Sequence, residues 1–180
     1  MSKPLSFNKH GLLPKGEYEL TFKELRNSIL VNNPKINDWD SAWRGFLVSQ
    51  AEILVKELWK VGITEIFLDG SFVEAKPRPN DIDGYFVCDL SEFASGHIER
   101  ELNKLNEHKI WTWNPASRRS YRGFAKKQLP MWHKYRVELY AHYGQPSGIV
   151  DRHGNQQMFP AAFRRTRNSD REKGIVKILP

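Results

Sequence analysis

The feature that most constrains this chain is a long apolar stripe between Asp38 and Val61. Trp43, Leu47, Ala51, Leu54, Leu58 and Val61 recur at helical spacing, and Trp39, Phe46 and Ile53 widen the stripe. Asn37 or Asp38 stands where a helix cap belongs, and Gly62 where a helix ends. The spacing predicts a helix of about 22–24 residues, long for a globular domain. A helix apolar along one side must bury that side against another layer.

The rest of the chain supplies that layer as strands. Short apolar or alternating runs at 65–68, 81–87, 135–140 and 174–179 predict strands. Thr21-Phe22-Lys23-Glu24 has the form of a capping box and predicts a helix over 22–30. A further helix is expected from Ser91 through Leu105. Residues 112–130, with Pro115 and Pro130, are basic and irregular. The expected architecture is a single α/β domain over 21–180, a mixed sheet flanked by helices, preceded by an extended arm over 1–20. A length of 180 residues fits one domain.

Composition removes several classes. One cysteine, Cys88, excludes an internal disulfide framework and a cysteine-cage zinc site. No run approaches the roughly 20 apolar residues of a membrane span. The first residues hold no apolar core of a secretory leader, so a cytoplasmic location is expected. The six histidines show no metal-ligand spacing on an expected helix and read as surface residues.

The chemistry is concentrated in Leu68-Asp69-Gly70-Ser71-Phe72 and Asp81-Ile82-Asp83, with nine residues between Ser71 and Asp81. Gly70 permits a tight turn after a strand and close approach of a phosphate to the backbone. Ser71 adds a hydroxyl. Asp81 and Asp83 lie at i and i+2 of a strand, so both carboxylates face one side. Their mutual repulsion is relieved by a divalent cation, and hard oxygen ligands point to Mg²⁺ or Mn²⁺. Phosphoryl or nucleotidyl transfer uses such a pair with a third carboxylate, often around two ions about 3.5–4 Å apart. Glu138, in the alternating strand after the basic segment, is the candidate third. The other reading takes Gly70-Ser71 as a plain turn and the aspartates as a polar strand edge.

Gly-Ser, nine residues, then Asp-x-Asp resembles the signature of the DNA polymerase beta-like nucleotidyltransferase superfamily. The resemblance covers roughly residues 38–140 and is to its minimal members, a small bacterial branch among them. It implies that fold, with Gly70 and Ser71 at a nucleoside triphosphate and Asp81 and Asp83 on the metals. Glu138 matches the third carboxylate, where Asp is usual. Asp69 and Gly84 stand where apolar or aliphatic residues are common. The implied activity is transfer of a nucleoside monophosphate from an NTP or dNTP to a hydroxyl. Toxin–antitoxin or anti-phage systems, with a partner protein, are implied in the same way.

Charge bears on the acceptor. Lys and Arg total 28 against 21 Asp and Glu, a net +7. From Lys109 to Val137 there are eight basic residues and no acidic one. Arg118, Arg119 and Arg122, interleaved with Tyr121, suit a nucleic-acid backbone as well as they suit a solvated loop. Arg164, Arg165, Arg167, Arg171, Lys173 and Lys177 form a second cluster. Within it, Lys173 and Gly174 are candidate contacts to the incoming nucleotide, or equally a turn before an edge strand. Trp111 and Trp113 could stack a base, but core is the preferred reading. The favoured acceptor or product is a nucleic-acid 3′ end or an oligonucleotide made without a template. A protein hydroxyl is the other candidate. The rival function is a catalytically degenerate module of the same fold that binds RNA or a partner protein.

Overall fold

A computed structural model describes residues 5–151, 153–166 and 171–180. Strand β1 (Glu17–Leu20) leads into α1 (Phe22–Asn27) and the long α2 (Ser41–Lys60). Strand β2 (Ile66–Asp69) ends in a tight 3-10 turn over Gly70–Val73, and β3 (Ile82–Val87) follows. Next come α3 (Leu90–Ala94), α4 (His97–Leu105), α5 (Pro130–Tyr135) and β4 (Val137–His142). A hairpin of β5 (Pro146–Val150) and β6 (Gln156–Met158), then α6 (Phe159–Phe163) and β7 (Ile175–Ile178), complete the chain.

Five strands form one mixed sheet in the order β1-β7-β2-β3-β4. The outer pairs β1–β7 and β3–β4 are parallel, and the inner pairs are antiparallel. This is the expected α/β domain with a mixed sheet and flanking helices. One face carries Ile66, Leu68, Ile82, Phe86, Leu139, Val176 and Ile178 into the main core. There Leu47, Val48, Ala51, Leu54, Val55 and Leu58 of α2 meet them, all fully buried. Burial of each such leucine is worth about 1.5–3 kcal/mol, so this face holds the fold together. The opposite face carries Phe67, Tyr85 and Ile175, packed against Phe159 and Phe163 of α6.

Several boundaries differ from expectation for local reasons. Helix α2 starts at Ser41 because the Asp40 carboxylate accepts from Trp43 N–H at 2.8 Å, while Asp38 sits at φ 60°. Phe46 and Ile53, expected in the stripe, are 44% and 42% exposed, since the sheet covers a narrower strip of the helix. The helix expected over 91–105 is broken at Gly96, whose left-handed backbone restarts it, and its first half is capped by Asp89. The strand expected from Tyr135 begins at Val137, because Pro130 opens α5 and Arg136 closes it with φ 57°. The described part of the 1–20 segment is anchored on the domain. Leu12 and Leu13 are buried, Glu17–Leu20 are an edge strand, and Ala75 N–H donates to Gly11 C=O at 2.7 Å. Trp111 is fully buried, its Nε1 donating to Glu57 at 2.6 Å, as the core reading expects.

Candidate active site

The sheet registers gather the acidic residues. Asp69 pairs with Asp83 across β2–β3, and Asp83 pairs with Glu138 across β3–β4. Directly opposite residues share a face, so these three lie in one row across three strands. It is the face away from α2, because the alternate positions Leu68, Gly84 and Leu139 point into or close upon the core. Asp81 lies two residues before Asp83, just ahead of β3.

Gly70 closes the turn onto this row. Its φ is +73°, and a Cβ there would stand 2.4 Å from Asp83 Oδ2. Only glycine combines that backbone with so close an approach. The Ser71 hydroxyl next to it is partly exposed and makes no hydrogen bond among the described residues. Behind the turn, the buried Arg44 guanidinium donates to the carbonyls of Leu30, Phe72 and Lys76. It is stacked on Trp39 and Phe72 at 4.1 and 4.7 Å. That anchor ties the 72–76 segment to α2, and nothing local in the sequence announces it.

Gly84 also has a steric reason. A Cβ there would meet the Phe67 carbonyl at 2.3 Å and Leu139 at 2.9 Å. An aliphatic residue after Asp83 would therefore push β2 and β3 apart.

Each carboxylate has its own surroundings. Asp69 is buried, and Lys173 Nζ lies 3.2 Å from its Oδ1. Burial pushes the Asp69 carboxyl up to about 7, against the opposing pull of Lys173. Lys173 is itself buried and also donates to Gly70 C=O at 2.9 Å and to Glu74 at 2.7 Å. Its ammonium thus fastens the turn from below. Gly174 packs beneath the N-terminal segment, where a Cβ would meet Pro14 C=O and Tyr18 at 2.5 Å. These contacts give both residues a place inside the domain.

Glu138 is buried and held on both oxygens. Oε1 accepts from Leu129 N–H at 2.8 Å and faces Arg118 at 3.4 Å; Oε2 accepts from the Tyr140 hydroxyl. Burial and the adjacent Glu138 push the Tyr140 hydroxyl above its ordinary range. Asp81 receives the Trp132 Nε1–H at 2.7 Å. Among the described residues no three His, Cys, Asp or Glu side chains converge as a ready metal centre. Asp81 and Asp83 supply the right donor atoms for a hard cation. Glu138 fits that role less well, with its oxygens engaged and a guanidinium beside it.

The three arginines of the basic run divide. Arg118 turns inward to Glu138 and to the Tyr140 hydroxyl, whereas Arg119 and Arg122 are exposed. The second basic cluster disperses: Arg164 pairs with Glu17, Lys177 with Glu19 at 3.6 Å, and Lys173 is buried. Arg167 lies outside the described residues. Trp132 and Arg136 are contacts to this site that the sequence reading did not single out. Pro130 marks the start of the helix that carries Trp132, but the contact from Trp132 to Asp81 spans 51 residues and has no local signal.

The chain belongs to a family of unknown function, DUF6932, which it matches over residues 5–179. No curated protein matches it, and no solved structure does.

Proposed function

We propose that this chain is a metal-dependent nucleotidyltransferase that moves a nucleoside monophosphate from an NTP or dNTP to a hydroxyl. A nucleic-acid end or an oligonucleotide is the favoured acceptor. The observation that carries the reading is the row Asp69–Asp83–Glu138, with Asp81 beside it and the Gly70 turn pressed onto Asp83. The resemblance of the Gly-Ser and Asp-x-Asp pattern to the nucleotidyltransferase superfamily supports it further.

In this reading Asp81 and Asp83 hold Mg²⁺ or Mn²⁺. Such an ion, when bound, supplies charge neutralisation at the triphosphate and favours the ionised acceptor hydroxyl. Ser71 Oγ and the backbone at Gly70 take up the phosphates that leave. Arg44 and Lys173 keep that turn in place through its carbonyls. Trp132 fixes the rotamer of Asp81 through one neutral hydrogen bond. Glu138 accepts the acceptor's proton once Arg118 or Tyr140 releases one of its oxygens.

The test is incubation with each labelled NTP and dNTP plus Mg²⁺ or Mn²⁺, resolved by electrophoresis and mass spectrometry. Metal-dependent label transfer, lost in Asp81→Asn and in Asp83→Asn while both variants stay folded, is expected. Transfer that survives in either variant sinks the site assignment. A second reading, a degenerate module that binds without turnover, is favoured by one observation: both oxygens of Glu138 are already taken. Triphosphate binding that ignores added metal would decide for it.

A further inference from the structure

We propose that the loop over 119–128, together with α5, is a binding surface for single-stranded nucleic acid, with Tyr121 as its stacking platform. The inference rests on the proposed function only in taking that strand as acceptor or product. The binding itself needs no turnover.

The loop is closed on itself. Arg119 and Gln128 exchange both backbone hydrogen bonds, each at 2.9 Å. Between those two residues stand Arg122, Lys126 and Lys127, and all three are exposed, as are Arg119 and Lys134 of α5. No acidic residue occurs from 109 to 137, and no ion pair is formed by these five among the described residues. Unpaired surface cations on a closed loop form a compact positive patch, complementary to a phosphate backbone.

Tyr121 sits inside that patch and is 42% exposed. Its ring is nonetheless held. The Arg136 guanidinium lies 4.2 Å from its centroid, and Phe124, Trp132 and His133 meet it edge-on at 5.6, 5.2 and 6.0 Å. Arg136 stacks on Trp132 as well, at 4.0 Å, from a left-handed backbone that non-glycine residues seldom adopt. A ring fixed by its neighbours and still open to solvent loses little entropy when a base stacks on it.

The same aromatic cluster reaches the acidic row. Trp132 touches Tyr121 on one side and donates to Asp81 on the other. A base on Tyr121 is therefore one indole away from a proposed metal carboxylate. A duplex offers phosphates but keeps its base faces stacked within itself, so only a single strand can use both parts of this surface.

The experiment is fluorescence anisotropy with labelled oligothymidylate, oligouridylate and a duplex of equal length, each over a series of salt concentrations. Single strands are expected to bind more tightly than the duplex. Tyr121→Ala should weaken single-strand binding about 10-fold and leave duplex binding unchanged, while Tyr121→Phe retains wild-type affinity. Arg119→Ala with Arg122→Ala should weaken both and lower the single-strand salt slope by about 1.4. Equal affinity for duplex and single strand, or an unchanged affinity in Tyr121→Ala, overturns the stacking platform. No binding even at low salt makes the loop a solvated surface and overturns the whole proposal. Asp83→Asn separates this result from the proposed function. Oligonucleotide binding should survive it although transfer is lost, whereas a wild type that binds single strands but transfers nothing counts against the enzyme reading alone.

Discussion

Gly70→Ala isolates the link between the turn and the carboxylate row. Alanine at φ +73° costs about 1–2 kcal/mol of backbone strain. Its methyl would lie 2.4 Å from Asp83 Oδ2, so that oxygen must retreat by at least about 0.6 Å to reach even the tightest tolerated contact. The obstructing atom is the end of a side chain, so the retreat takes a rotamer distortion of about 0.5–1.5 kcal/mol, not a broken strand. Together the loss is about 1.5–3.5 kcal/mol, a fall in Tm of about 3–14 °C for a chain of this size. The fold survives, but Asp83 is displaced by most of an ångström. A misplacement of about 1 Å costs on the order of 10²-fold in rate. Mn²⁺ affinity, read by electron paramagnetic resonance of the free ion, should fall about tenfold or more, for about 1.4 kcal/mol of lost ligation. Thermal melts and Mn²⁺ titrations of the two proteins decide the matter. A variant that melts low yet binds Mn²⁺ like wild type would show that Asp83 is not a ligand. A variant that melts like wild type would refute the steric reasoning itself.

Gly84→Ala should be far more damaging, because the methyl meets the Phe67 carbonyl of a paired strand; a loss of more than about 3 kcal/mol in urea unfolding is expected. Glu138→Gln keeps the size and the contacts to Leu129 and Tyr140 but strips Arg118 of its anion. Transfer should fall by on the order of 10² or more with Tm nearly unchanged, and a variant as active as wild type removes Glu138 from the chemistry. Asp69 gives a pH signature. Its carboxyl titrates near 7 when folded against an ordinary 3.8, so the folded state holds the proton more tightly and this contribution to stability declines as pH rises from about 4 to about 7. Asp69→Asn should flatten that decline in urea midpoints measured across the interval, and an unaltered pH profile would deny the shift.

What could be read in the sequence was local. The capping box at Thr21 and Glu24 is formed as spaced, with Glu24 N–H donating to Thr21 Oγ1 at 3.2 Å, because both partners lie within one turn. The stripe of α2 and the strands carrying Asp83 and Glu138 were legible for the same reason, a local pattern, and the preference for Trp111 as core agrees with its burial. The hairpin β5–β6 was missed because its strands are short and exposed along much of their length, and α6 because five apolar residues are too few to show a period. Phe46 and Ile53 misled because a helical stripe records which residues can be buried, not how wide the covering sheet is. The contacts that shape the site lay out of reach. Lys173 meets Asp69 from the far end of the chain, and Arg118 meets Glu138 only because the basic loop folds back across β4.

Those distant contacts change how the acidic row is understood. A line of carboxylates across adjacent strands repels itself and needs positive charge to form at all. Two members of this row have that charge built in: Asp69 has the Lys173 ammonium and Glu138 has the Arg118 guanidinium. Asp81 is treated differently. Its partner, the Trp132 N–H, is a neutral donor that orients the carboxylate without neutralising it. A protein that needed the acidic cluster only for packing would gain more from a cation at Asp81 than from an indole, and Arg136, stacked on that same indole at 4.0 Å, is close by. It is held against the rings of Tyr121 and Trp132 instead. An oriented carboxylate without an ion pair among the described residues, as at Asp81, is the arrangement needed to receive a cation from solution. Asp81, more than Glu138, is therefore the residue on which the metal assignment stands.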